Sequence, residues 1–464
     1  MHLGTPNPDD PQPTAGAAPA RVRDVLLLAW PSVLSFVCNS AYRVNDQFWV
    51  QDLGAEAHAA LGPCTFLLTL NFAFYFLAVG GSLTLVARCT GAGDRAGRDA
   101  VIRHALLLAT FVAILVGLVG TSSIEALTGG LGLVGKTSEF SQTYLGTIYA
   151  VTIPMALAPV VSTTFVAMGN TRLPLMLQLV AVGCNFVLNP VLIYGWGPIE
   201  GMGIAGAALA TGLSRAVSAG LGLFFLVRLY SVRLFSFQGL SLRRLSQIVR
   251  IGIPSCLSIV VYAGVYFALL RTTLSPLGDA VLGGLSIGFN AFEGVAFPFF
   301  LGIAVAGSSL VGRNLGAESP QGARQAVRSL RILALGTGTL FTLVFWLAGP
   351  IIVPLFTDDP GVAREAIRYV QILAASQLFV AYEVMHEKTL LGAGYTAPLF
   401  LVSVPGNILR LPLAWFLATH LGMGAAGVWW AINLTTILKS AVMAGIVQRG
   451  RWLQFRPDEV GAGG

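Results

Sequence analysis

The chain is a succession of long apolar runs separated by short polar turns. A helix that spans a bilayer needs about 20 mostly apolar residues. Twelve segments meet that requirement: 26–51, 58–87, 102–123, 142–168, 174–196, 203–228, 248–274, 281–312, 329–351, 365–391, 398–419 and 424–447. The pattern predicts an all-α integral membrane protein of twelve transmembrane helices. Pro154, Pro159, Pro298, Pro405 and Pro412 interrupt the runs. Each removes a backbone hydrogen bond and permits a kink, with or without a role in function.

The punctuation between runs repeats. Arg88-Cys89-Thr90-Gly91-Ala92-Gly93 is echoed by Arg313-Asn314-Leu315-Gly316-Ala317-Glu318, an offset of 225 (313 − 88). Gly201-Met202-Gly203-Ile204-Ala205-Gly206 returns as Gly422-Met423-Gly424-Ala425-Ala426-Gly427, an offset of 221 (422 − 201). Pro31 returns as Pro254, an offset of 223 (254 − 31). Six helices per half give both halves the same orientation, so they form two bundles related by a pseudo-two-fold axis along the membrane normal. The expected organisation is a disordered tail at 1–24, an N-terminal bundle at 25–229, a cytoplasmic linker at 230–247, a C-terminal bundle at 248–448 and a tail at 449–464.

Loop charge orients the predicted helices. Arginines crowd alternate loops, as at Arg88, Arg95, Arg98, Arg243 and Arg244, while the opposite loops carry Asp52, Glu125, Glu200, Asp279 and Asp358. The arginine-rich side is the cytoplasm, which puts both termini inside at the plasma membrane. Composition agrees. The 464 residues are 55% hydrophobic and 11% charged, against about 25% charged in soluble domains. The formal charge of +7 is explained by orientation, and no basic stripe with interleaved aromatics marks nucleic acid as a partner. The five cysteines are isolated in or beside apolar runs, which indicates neither a disulfide framework nor a zinc site. No Gly-x4-Gly-Lys-Ser/Thr loop occurs, so ATP is not the expected energy source. No cofactor is expected, and no paired catalytic groups at membrane depth suggest an enzyme.

Several motifs together resemble the multidrug and toxic compound extrusion (MATE) family. They are Trp30-Pro31, Asp46 with Leu53-Gly54, Val86-Ala87-Arg88 with Gly91-Ala92-Gly93-Asp94, Gly169-Asn170-Thr171-Arg172 with Pro174, Asn185 with Asn189-Pro190, and Gly203-Ile204-Ala205-Gly206. The resemblance covers about residues 24–450. It implies an antiporter of two six-helix bundles that exports small organic, often cationic, compounds in exchange for H⁺ or Na⁺. Such a chain is expected to act as a monomer. Gly91-Ala92-Gly93-Asp94-Arg95-Ala96-Gly97-Arg98 also looks like a loop signature of the major facilitator superfamily, but the second half does not keep its Asp-Arg-x-Gly-Arg part. A lipid-linked oligosaccharide flippase of related architecture is a further alternative, which Arg43, Arg271 and Arg410 would suit.

Ionisable groups inside hydrocarbon are functional candidates by default. Asp46 matches the position of the family's coupling acid. It could carry a proton or bind Na⁺ with neighbouring oxygens. Alternatively, Arg43, three residues earlier on the same helix face, pairs with it permanently. Asn185, Asn189 and Thr211 are candidate partners, the two asparagines sharing one face of helix five. The family often has an acid at the position of Asn189, and an amide cannot take up a proton near neutral pH. Glu293 is the strongest acid of the second half, and Arg410 is its expected partner. A cavity-lining Arg410 would also suit an anionic or zwitterionic solute. Glu383, His386 and Glu387 form either a proton relay or an interfacial cluster around Lys388. Arg43, Tyr75, Phe292 and Arg410 are the substrate-path candidates.

Overall fold

A computed structural model describes residues 21–131, 133–234 and 241–456. Most of the tail expected at 1–24, the centre of the expected linker and the end of the tail expected at 449–464 lie outside these residues. The chain is a series of long helices. They are α1 Val22–Val50, α2 Ala55–Gly91, α3 Arg95–Ser122, the short α4 Ile124–Gly130, α5 Gly135–Ala150, α6 Thr152–Ala167, α7 Arg172–Tyr194 and α8 Ile204–Tyr230. The second half holds α9 Leu242–Leu269, α10 Asp279–Ile287, α11 Gly294–Gly316, α12 Pro320–Leu343, α13 Gly349–Ile352, α14 Pro360–Ala393, α15 Ala397–Trp415 and α16 Ala425–Gln448. A two-residue hairpin, β1 Gly195–Trp196 with β2 Ile199–Glu200, turns the chain between α7 and α8, pairing Gly195 with Glu200.

Among the described residues, ten helical stretches are long and apolar enough to cross a membrane. The pair α5–α6, bent by 58°, makes an eleventh if taken as one span. The twelfth expected segment, 365–391, lies in α14, a 34-residue helix carrying Arg364, Glu365, Arg368, Glu383, Glu387 and Lys388. Its length suffices, but Gln371, Gln377 and the charged residues keep its mean hydropathy below that of the ten. Large apolar side chains such as Leu118, Ile351 and Leu401 stand exposed, as lipid-facing positions require.

The described residues form two compact units. One comprises Cys38–Gly252 with Gly312–Ser319. The other comprises the described residues up to Val37, Ile253–Val311 and the described residues from Pro320 onward. In the first unit, α7 packs along α8, and α2 packs on α3, α5 and α6. Val50, Leu61, Tyr144, Leu145, Ile148 and Ile193 build an apolar core there. In the second unit, α14 is central, packed by α10, α12 and α16.

The repeated Arg-x-x-Gly motif has a packing reason. A Cβ on Gly91 would strike the backbone of Arg313, and a Cβ on Gly316 would strike that of Arg88. The two contacts are reciprocal at one offset (313 − 88 = 316 − 91 = 225). The segment that resembles a facilitator signature also has a local explanation. Asp94 caps α3 by accepting the Gly97 N–H at 2.8 Å, as N-terminal helix donors require. Arg98 pairs with Asp99 at 2.8 Å and donates to the Tyr230 carbonyl at 3.1 Å.

Candidate coupling and substrate sites

Asp46 lies near the end of α1 and is buried, with 7% exposure. Asn189 of α7 donates from its amide to Asp46 Oδ1 at 2.8 Å. Thr211 of α8 donates to Oδ2 at 3.1 Å. Asn185 donates to the Thr211 hydroxyl at 3.1 Å, and its own carbonyl oxygen accepts from Asn45 at 2.8 Å. Trp49 closes the network by donating to Asn45 at 2.9 Å. The spacing of four residues on α7 is what lets both asparagines reach one point. The structure therefore gathers Asp46, Asn185, Asn189 and Thr211 into one network.

That network has an opening in its bonding. The side-chain oxygen of Asn189 is buried and has no hydrogen-bond partner among the described residues. Neither does Asp46 form an ion pair there. The alternative Arg43–Asp46 pair rests on a side chain outside the described residues. The cation that the structure does bring near is Arg215 of α8, one turn beyond Thr211. Its guanidinium donates to Gln178 at 3.2 Å and to Asn39, and its carbon lies 4.3 Å from the centre of the Tyr42 ring. Arg215 and Tyr42 were not singled out from sequence. The rule that marks Asp46, an ionisable group within an apolar run, marks Arg215 equally.

In the second unit, Glu293 ends a wide π-type turn, Gly288–Glu293, between α10 and α11. Such turns shift the face on which a side chain emerges and recur at functional sites. The Glu293 carboxylate accepts from the Tyr369 hydroxyl at 2.8 Å. Tyr369 packs edge-on against Trp429, ring centres 4.6 Å apart.

Arg410 does not form the expected ion pair with Glu293, although it is within electrostatic reach of Glu293, Tyr262 and Tyr266. Its Nε donates to Thr435 at 3.0 Å and its Nη2 to Thr436 at 3.4 Å. Both threonines come from α16, which packs along α15, so they meet the guanidinium first. Tyr262 and Tyr266 stand 5.1 Å apart, and Phe289 adds a third ring 5.9 Å from Tyr266.

The acidic cluster on α14 divides rather than forming one relay. Glu383 pairs with Lys439 at 2.6 Å, and Lys439 also donates to Asn407 at 3.1 Å. Lys439 is thus a buried partner of this pair, 6% exposed. Glu387 accepts from Ser403 at 3.0 Å. His386 Nδ1 lies 2.7 Å from the Tyr382 carbonyl. Of the aromatic candidates, Tyr75 is buried in α2, and Phe292 is buried edge-on against Phe345 at 5.4 Å. Neither lines an open surface. Among the described residues, no group of three His, Cys, Asp or Glu could hold a metal ion.

A polytopic membrane protein of two helical units, each with a charged network buried among its long apolar helices, has the build of a solute transporter. The chain belongs to the MATE family. The family model MatE matches twice, at residues 31–191 and 254–416, and the matches start 223 residues apart (254 − 31), the offset read from Pro31 and Pro254. This excludes the facilitator alternative, and members of the family are transporters, not enzymes. A protein of Thermotoga maritima described as probable multidrug resistance protein NorM is 24% identical over 93% of both chains. A Shewanella oneidensis protein described as a FAD transporter is 26% identical over 92% of this chain and 94% of its own. The solved Vibrio cholerae MATE transporter VcmN has the same fold, with a TM-score of 0.84 at 20% identity over 93% of this chain and 97% of that one.

Proposed function

We propose that the protein is a secondary antiporter that exports small organic, often cationic, solutes in exchange for H⁺ or Na⁺. It works as a monomer in the plasma membrane with both termini in the cytoplasm. The coupling ion is taken up at Asp46. The observation that carries this reading is the Asp46 network itself. A buried carboxylate is held by an amide and a hydroxyl, and a buried amide oxygen beside it waits for a donor or a cation. Burying an unpaired carboxylate is expensive. A proton on Asp46, or Na⁺ held by the oxygens of Asp46, Asn189 and Thr211, removes that cost and competes with a cationic solute for the same charge. Solute and ion then bias the exchange between outward- and inward-facing states through their different affinities for each.

The test is efflux of a fluorescent organic cation from everted vesicles under separate pH and Na⁺ jumps. Wild type is expected to respond to at least one ion, and Asp46→Asn to neither. Ion-driven efflux that survives in Asp46→Asn sinks the assignment of the coupling site. No movement in wild type under either jump sinks antiport of cations.

A further inference from the structure

The internal repeat relates the two buried networks residue by residue. Asp46 falls on Leu269 (46 + 223), Asn185 falls on Asn407 and Pro190 on Pro412 (offset 222), so that Arg410 stands one position short of the counterpart of Asn189, and Arg215 falls on Thr436 (215 + 221). The second unit thus lacks the acid at that position and carries a guanidinium one residue before the counterpart of the Asn189 amide. The two arginines are also differently engaged. Arg215 spends both terminal nitrogens on Gln178 and Asn39 and lies over Tyr42. Among the described residues, Arg410, 3% exposed, bonds only Thr435 and Thr436, through Nε and Nη2. Its Nη1 has no hydrogen-bond partner, and no carboxylate lies within ion-pair distance, among the described residues.

The threonines orient this group without neutralising it. The Thr435 hydroxyl gives its hydrogen to the Ala431 or Ile432 carbonyl. Its oxygen is therefore left to accept from Arg410 Nε, which fixes the plane of the guanidinium. A buried cation that keeps N–H groups free is costly to hold, and a guanidinium edge matches the two oxygens of a carboxylate or phosphate. We propose that Arg410 receives an oxyanion group, a carboxylate or a phosphate, of the transported solute. Tyr262 and Tyr266 supply ring faces for an aromatic body, and Glu293 lies within electrostatic reach for a cationic end. The second unit is thereby suited to an amphoteric or anionic aromatic solute. This assignment rests on the transporter reading above but not on its ion coupling.

The experiment is equilibrium binding to the purified full chain, read by fluorescence anisotropy without an ion gradient. Rhodamine B, which has a free carboxylate, is compared with its ethyl ester, and flavin mononucleotide with riboflavin, which lacks the phosphate. In at least one pair, the member bearing the oxyanion is expected to bind about tenfold more tightly, the scale of one charge-assisted hydrogen bond. The pair that discriminates identifies the group. Arg410→Gln is expected to erase the preference, the member bearing the oxyanion falling to the affinity of the mate that lacks it, and Arg410→Lys to keep part of it. Absence of discrimination in both pairs overturns the proposal, as does discrimination unchanged in Arg410→Gln. If Arg410→Gln does not fold, unchanged discrimination in Arg410→Lys overturns it instead. Ion-driven efflux without an oxyanion preference leaves antiport standing, and a preference without ion-driven efflux does the reverse.

Discussion

The two units start from one repeated plan and bury charge in different ways. Besides the Arg98–Asp99 pair at the start of α3, the first surrounds a lone acid, Asp46, with neutral donors from α7 and α8. The second balances several charges by pairs and hydroxyls: Glu383 with Lys439, Glu293 with Tyr369, and Arg410 with Thr435 and Thr436. Their backbones differ as well. Among the described residues, the π-type turns at Leu270–Leu274, Gly288–Glu293, Val344–Ala348 and Phe416–His420 all fall in the second unit. A regular helix with a lone acid suits a small ion that comes and goes. Helices with wide turns and mixed charges suit a larger, chemically varied guest. Repetition thus fixes the scaffold, while substitutions at a few repeat-related positions set which charges each unit buries.

The largest expected effect separates the units directly. Asp46→Asn should lower ion-driven efflux by about a hundredfold, near the upper range of coupling free energies. Glu293→Gln should change solute affinity more than ion dependence. Equal losses of coupling in both variants, measured as efflux under an ion jump, would erase the distinction. Next comes the ion pair of the second unit. Lys439→Met leaves Glu383 buried and unpaired and should cost about 3–5 kcal/mol of stability. Replacing Glu383 with Leu in the same chain should recover most of that loss, which chemical denaturation of the purified variants can follow. A structural pair behaves so, whereas a coupling acid would not tolerate both changes.

Thr211→Val sharpens the picture of the first unit. It removes one donor to Asp46 while keeping the shape of the side chain. Losing a hydrogen bond to a charged group costs about 1.5–3 kcal/mol, so the concentration of ion giving half-maximal efflux should shift by about tenfold or more. The smallest effect concerns a cap outside the membrane. The Val362 and Gly361 N–H groups hold the Asp359 carboxyl below its usual range. A lowered folded value means the cap contributes stability above the unfolded value and loses it as pH falls through the folded one. Asp359→Ala should therefore lower the unfolding midpoint slightly at neutral pH and not at strongly acidic pH, as scanning fluorimetry can read.

Much of the fold is legible in the sequence because membrane solvent imposes long apolar runs. The repeat is legible because reciprocal contacts such as Gly91 with Arg313 and Gly316 with Arg88 tolerate no side chain. The grouping of Asp46, Asn185, Asn189 and Thr211 follows from helical spacing and the family resemblance. The partners of buried charges are less legible. Arg410 meets two threonines rather than Glu293, and Glu383 meets Lys439, since partner choice depends on which helices pack side by side. The π-type turn that presents Glu293 leaves no clear mark in hydrophobic periodicity. Arg215 is legible by the same rule as Asp46, an ionisable group within an apolar run.

The most direct test of the central claim, that Asp46 carries the coupling ion, is to measure the ion itself. Purified protein in proteoliposomes would be loaded with a fluorescent organic cation, and its exit recorded together with entry of H⁺, by a pH-sensitive dye, and of Na⁺, by a sodium-sensitive dye. The account predicts that one of these ions enters as solute leaves in wild type and in Glu293→Gln. In Asp46→Asn, solute-dependent ion entry should vanish. Ion entry that persists in Asp46→Asn and vanishes in Glu293→Gln would contradict the account and move coupling to the second unit.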